Sequence, residues 1–128
     1  MTLADCLIQT QTITIETATR EGRPIATPIW GVVVDDACYV RSGYGDAAAW
    51  YRRLRRTWLA AIVGPDQRYS VRVERVVDEH TRKLVDDAYR GKYRGQGIAL
   101  CQALASPARD YTLRLIPTKV DQGLGEQA

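Results

Sequence analysis

The residues best equipped for chemistry lie in one short run, Arg41-Ser42-Gly43-Tyr44-Gly45, and in the segment after it, which holds Trp50, Tyr51, Arg52, Arg53, Arg55 and Arg56. Guanidinium forks, a hydroxyl and bare glycine amides are donors suited to an anion with several oxygens, phosphate above all. Arg41, Ser42 and Arg53 are the first choice for such contacts, because a strand end and the loop after it tend to display functional groups. Tyr44 and Tyr51 are flat and polar, fit to stack on a ring or to give up a proton. The same residues also suit a plainer account: a solvated arginine face on a helix, a turn serine, and tyrosines packed at a rim. A second group, Asp86, Tyr89 and Tyr93 with Lys92 beside them, shares one helical face. It either closes a pocket or packs a core.

Other chemistries fail on inventory. His80 is the sole histidine, set between Glu79 and Thr81 in the first turn of a predicted helix, where exposure is expected. With Cys6, Cys38 and Cys101 scattered along the chain, there is no ligand set for a structural zinc. No Ser-His-Asp constellation can be drawn, and no phosphate loop or GxGxxG run follows a strand.

The donor-rich run must be positioned by its neighbours. Ile25 to Val34 is apolar on both faces and predicts a strand sealed on both sides, with Asp35-Asp36 as a tight reversal and Cys38 to Arg41 as the returning partner. Asp46 is placed to cap the helix that follows, where Trp50 and Leu54 share a face. Upstream, Gln11 to Thr19 alternates, with Ile13, Ile15 and Thr17 on one side, and residues 1 to 10 form a short helix or a packed lead-in. Arg20 to Pro24 makes a turn. Downstream, Thr57 to Val63 is a short apolar strand, and Arg68 to Val77 has period two with Tyr69, Val71 and Val73 inward. Asp78 caps a helix running to about Tyr93, whose apolar stripe is Leu84, Val85, Ala88 and Tyr89 and whose Asp86 and Arg90 can pair. A second helix spans Ile98 to Ala105, and Tyr111 to Leu115 is the last strand. This gives six strands and two to four helices: a mainly β (α+β) antiparallel barrel with flanking helices. One domain over residues 1–117 is expected, with a disordered tail over 118–128.

Composition narrows the setting. The chain has 128 residues, with 45% hydrophobic and 26% charged, an ordinary soluble balance. No apolar run spans a bilayer, and the first residues lack a secretory signal, so no membrane association is expected. Three widely spaced cysteines fit a reducing cytoplasm and small buried apolar side chains. A net charge of +3 is mild for a nucleic-acid binder, and that role is disfavoured.

Taken together, Thr27-Pro28-Ile29-Trp30, a hairpin, Arg41 to Gly45, and Trp50-Tyr51-Arg52-Arg53-Leu54 resemble the split β-barrel flavoproteins. These are the pyridoxamine-phosphate-oxidase-like proteins and the deazaflavin-dependent nitroreductases. A small uncharacterised bacterial family among them is the nearest match, sharing the Trp-Tyr-Arg run and a second motif over Asp86 to Tyr93. The resemblance covers roughly residues 10 to 117. It implies a six-stranded split barrel, usually a homodimer, holding FMN or the 8-hydroxy-5-deazaflavin coenzyme in a cleft. Thr27, Pro28 and Ile29 match the run beside the ring system; Ser42, Gly45, Trp50 and Tyr51 match the phosphate-end loop and helix, joined there by Arg41, Gly43 and Arg53. Of the basic clamp ahead of Thr-Pro only Arg23 survives. Departures from the pattern fall at Tyr44, Ala49 and Arg53.

Two functions follow. In the first, the protein is an oxidoreductase that passes hydride from a bound flavin or deazaflavin to a small unsaturated, nitro or quinone-like substrate, with Tyr44 as proton donor. In the second, the same barrel holds a small acidic or phosphorylated ligand without redox chemistry, as a binding protein or cofactor-independent enzyme.

Overall fold

The computed structural model describes residues 1–65 and 67–118. Its elements are α1 (Leu3–Gln9), β1 (Ile13–Ala18), β2 (Pro24–Ile29), β3 (Gly31–Val34), β4 (Ala37–Arg41), α2 (Ala49–Leu54), β5 (Leu59–Val63), β6 (Arg68–Arg75), α3 (Glu79–Lys92), α4 (Ile98–Leu104) and β7 (Thr112–Pro117). Short 3-10 turns cover Gly45–Ala47 and Arg109–Tyr111. The strands form one antiparallel sheet in the order β2-β1-β5-β6-β7-β4-β3.

That order fixes the shape. β2 and β3 are separated only by Trp30, yet they lie at opposite edges of the sheet. One residue cannot bridge a flat sheet of this width at roughly 4.8 Å per strand, so the sheet must curl until its edges meet. The long strand expected over Ile25 to Val34 is therefore two strands, and the described residues hold seven strands rather than the six expected. Trp30 makes the corner, stacked on Tyr93 at 3.9 Å and 9°. The expectation that this strand is sealed on both sides fails for β2, where Ala26 and Pro28 are exposed. As an edge strand, β2 pairs with β1 alone among the described residues.

Most local readings hold. Ile13, Ile15 and Thr17 are buried on β1, and Tyr69, Val71 and Val73 on β6. Asp35 and Asp36 turn the β3–β4 hairpin with φ of 48° and 67°, the left-handed conformation that a tight hairpin needs and aspartate tolerates. Asp78 caps α3, its carboxylate accepting from the Thr81 amide at 2.8 Å.

Others need correction. Asp46 lies in the Gly45–Ala47 turn, and α2 starts after Ala48 with no side-chain cap. Asp86 does not pair with Arg90, which takes Asp87 instead at 3.0 Å, because Asp86 faces inward and finds partners there. Leu84 of the expected stripe is exposed, as is Cys101, whereas Cys6 and Cys38 are buried. Thr118 donates its amide to the Ser70 carbonyl, and the rest of the expected tail, 119–128, lies outside the described residues.

The core divides in two. The larger cluster fills the barrel with Ile13, Ile15, Val40, Leu54, Ile62, Leu113 and their neighbours. A smaller one, between the outer face of β3–β4 and α3, holds Val32, Tyr39, Val85, Tyr89 and Tyr93.

Candidate functional site

A cleft of about 910 Å³ opens beside β2. Thr27 to Trp30 form one wall; Gly43, Tyr44, Ala49, Trp50 and Arg53 form the second. The third is α4 and the segment after it, through Ile98, Cys101, Gln102, Ser106 and Pro107. Arg41 and Tyr89 lie at the base. The volume is that of a pocket for a small molecule or cofactor, which commonly spans about 300–1,000 Å³.

Local folding explains the second wall. Ser42 is fully buried; its hydroxyl donates to the Gly45 carbonyl at 2.7 Å and its amide to the Tyr111 carbonyl. Gly45 sits at φ +60°, and a Cβ there would meet the Tyr111 ring at 3.0 Å, so only glycine lets the loop close against that ring. The closed loop lifts Tyr44 to the rim, where it is 79% exposed. It also delivers α2 with Trp50 and Arg53 facing the cleft while Leu54 enters the barrel.

Charge in the cleft is uneven. Among the described residues its ionisable acid or base side chains along the walls, apart from Tyr44, Tyr89 and Cys101, are Arg41 and Arg53. Arg41 is committed: its Nε donates to Thr112 Oγ1 at 3.0 Å, Nη1 to the Ala103 carbonyl at 2.9 Å and Nη2 to the Arg82 carbonyl at 3.1 Å. Nη1 also lies 2.7 Å from Asp86 Oδ1, an ionic contact without the alignment of a hydrogen bond. Asp86 Oδ2 accepts from Arg109 Nε at 2.9 Å, and Arg109 grips both oxygens of Glu79. The Arg109 hydrogen bond holds the Glu79 carboxyl below its ordinary value. Arg53 is different. Its Nε donates to the buried Thr17 hydroxyl at 3.0 Å, and its terminal nitrogens meet no carboxylate among the described residues. It is the uncompensated cation of the cleft.

The sequence-predicted residues therefore separate. Thr27, Pro28, Ile29, Gly43, Tyr44, Trp50 and Arg53 come together around one space, with Arg41 beneath them. Ser42 and Gly45 spend their polar groups on each other and do not line the cleft. Tyr51 is buried against Trp50, Trp58 and Tyr111, and burial raises its phenol above the ordinary value. Arg23 is exposed outside the lining. Of the second group, Tyr89 lines the cleft, while Asp86 and Tyr93 are buried behind it. Lys92 donates at 2.6 Å to the Leu7 and Gly31 carbonyls, and burial lowers it to about 8. It ties α1, β3 and α3 together. Sequence reasoning missed the α4 wall. Its available signal was a run of small residues, Ala99, Ala103 and Ala105, between Gly97 and Pro107.

Comparison with known proteins agrees with this architecture. A solved structure of a candidate 5-nitroimidazole antibiotic resistance protein from Bacteroides thetaiotaomicron is similar with a TM-score of 0.65 at 15% identity, covering 90% of this chain and 77% of that one. A candidate pyridoxamine 5'-phosphate oxidase from Listeria innocua gives 0.63 at 16%, covering 90% of each chain. HutZ, the haem storage protein from Vibrio cholerae, gives 0.63 at 15%, covering 90% of this chain and 87% of that one. At these identities the likeness establishes the fold, a split β-barrel. No curated protein matches the chain. The model of an uncharacterized protein family conserved in bacteria, DUF2255, matches residues 5–115. The chain is a member of that family.

Proposed function

We propose that the protein is an oxidoreductase that uses FMN or the 8-hydroxy-5-deazaflavin coenzyme to reduce a small unsaturated, nitro or quinone-like substrate. One observation carries this reading: a largely apolar cleft of cofactor size holds one uncompensated guanidinium, Arg53, at one side. A flat ring with an acidic side chain fits that arrangement. Thr27 to Ile29 and Trp50 bound the ring, and Arg53 with the Gly43 amide region takes the acidic end. The bound coenzyme, in its reduced form, would supply the hydride and be left oxidised. The chain's own task is to orient the substrate against the ring and to exclude water. Tyr44, exposed at the rim with its phenol, delivers a proton to the substrate atom beside the one that receives hydride. β2, an edge strand with exposed Ala26 and Pro28, supports assembly as a homodimer across this face.

Among the described residues the cleft lining contains neither histidine nor methionine, so a haem held there would take Cys101 or Tyr44 as its iron ligand. The commitment of Arg41 and Ser42 to internal partners favours a second reading, a small acidic ligand bound without redox chemistry, because it leaves a weaker grip for a phosphate.

The test is an absorbance spectrum of the purified protein, with fluorescence titrations of FMN, deazaflavin coenzyme and haem. Saturable flavin or deazaflavin binding is the expected result. A colourless protein, silent to both, ends the oxidoreductase reading; thermal stabilisation by a non-flavin anion alone establishes the second.

A further inference from the structure

α4 forms a whole wall of the cleft, yet none of its residues is fully buried. Only Leu100, Ala103 and Leu104 pack, half-buried, against the smaller core cluster. The chain enters it through Gly95 and Gly97, at φ +87° and +58°. Such a segment opens locally unless something specific holds it.

The specific contact is Arg41. Its side chain is 2% exposed and its fork reaches β7 at Thr112, α3 at the Arg82 carbonyl and α4 at the Ala103 carbonyl. Asp86 at 2.7 Å fixes the charge, and Arg109 and Glu79 fix Asp86 in turn. The Tyr89 ring lies beneath the guanidinium at 5.3 Å. The guanidinium fork holds its donors apart in fixed directions and so reaches Thr112, the Arg82 carbonyl and the Ala103 carbonyl together; the single point-like ammonium of Arg41→Lys cannot span those three acceptors. We infer that Arg41, oriented by Asp86, is a positioning residue that holds the α4 wall through the Ala103 carbonyl and so sets the width of the cleft, rather than a ligand of the bound anion. The effect on cofactor affinity rests on the flavin reading above; the effect on α4 stands without it.

The first experiment is amide hydrogen exchange on Arg41→Lys, which keeps the charge and loses the fork. Exchange in α4 should rise about tenfold, the loss of one charge-assisted hydrogen bond, while β1 and β5 stay unchanged. Unchanged α4 exchange overturns the inference. Should Arg41→Lys exchange everywhere, the isosteric Asp86→Asn replaces it in the same measurement. The second experiment uses the wild-type chain. With saturating FMN, the Arg41 Nε–H resonance should hold its position while that of Arg53 moves; equal movement makes Arg41 a direct ligand and ends the proposal. If FMN moves neither resonance, the flavin reading falls and the α4 exchange alone decides.

Discussion

Arg53→Met removes the cleft cation that meets no carboxylate among the described residues, while keeping the unbranched stem as far as the position of Nε. Two quantities follow from its surroundings. The terminal nitrogens would lose a charge-assisted hydrogen bond to the acidic end of FMN, about 1.5–3 kcal/mol, or roughly 10- to 150-fold in Kd. Nε would also leave the Thr17 hydroxyl, which is only 2% exposed, without its donor. That costs about 1 kcal/mol of folding stability and shifts Tm by about 3–6 °C in a domain of this size. The assays are a fluorescence titration of FMN and a thermal melt on the same sample. Arg52→Met is the control, because Arg52 points to the Ala47 carbonyl at an exposed surface and should alter neither quantity. Wild-type affinity should weaken with added salt, and the variant's should respond less, because the guanidinium faces an open cleft. An Arg53→Met protein that binds FMN within about twofold of wild type refutes the assignment of Arg53 as the anion site.

Two further predictions concern the frame around the cleft. In Tyr93→Phe the ring still stacks on Trp30, but the buried Gly31 amide loses its acceptor at 3.0 Å and the Gln11 carbonyl its donor at 2.7 Å. A loss of about 2–4 kcal/mol is expected in urea unfolding with an unchanged slope, and a loss under about 0.5 kcal/mol contradicts it. Burial pushes the Cys38 thiol up from 9.0 to about 11. The folded chain keeps this proton where the unfolded chain has lost it, so the contribution is whole below pH 9 and disappears as pH rises towards 11. Wild type should lose stability relative to Cys38→Ala over that interval, by at most about 1.4 kcal/mol per pH unit, and parallel curves would show that the thiol is not shifted.

What the sequence by itself determined was local. Alternation at Ile13, Ile15 and Thr17 marks a half-buried strand, paired aspartates at 35 and 36 mark a hairpin turn, and Asp78 marks a helix start. Each of these features depends on contacts a few residues apart, so the residue types alone decide them. The motif residues at 27–29, 43–44, 50 and 53 also proved to share one cleft.

Only the tertiary structure decided what those groups are free to do. Arg41 and Arg53 have the same side chain. One spends its donors on Arg82, Ala103 and Thr112, which are 41, 62 and 71 residues away; the other lines the cleft, gives its Nε to Thr17 and meets no carboxylate among the described residues. Likewise, Trp30 ends one strand and begins another only because the curled sheet brings its two edges together there. Donor chemistry belongs to the residue, but its availability is set by which distant carbonyls and carboxylates the fold places within 3 Å or so of it.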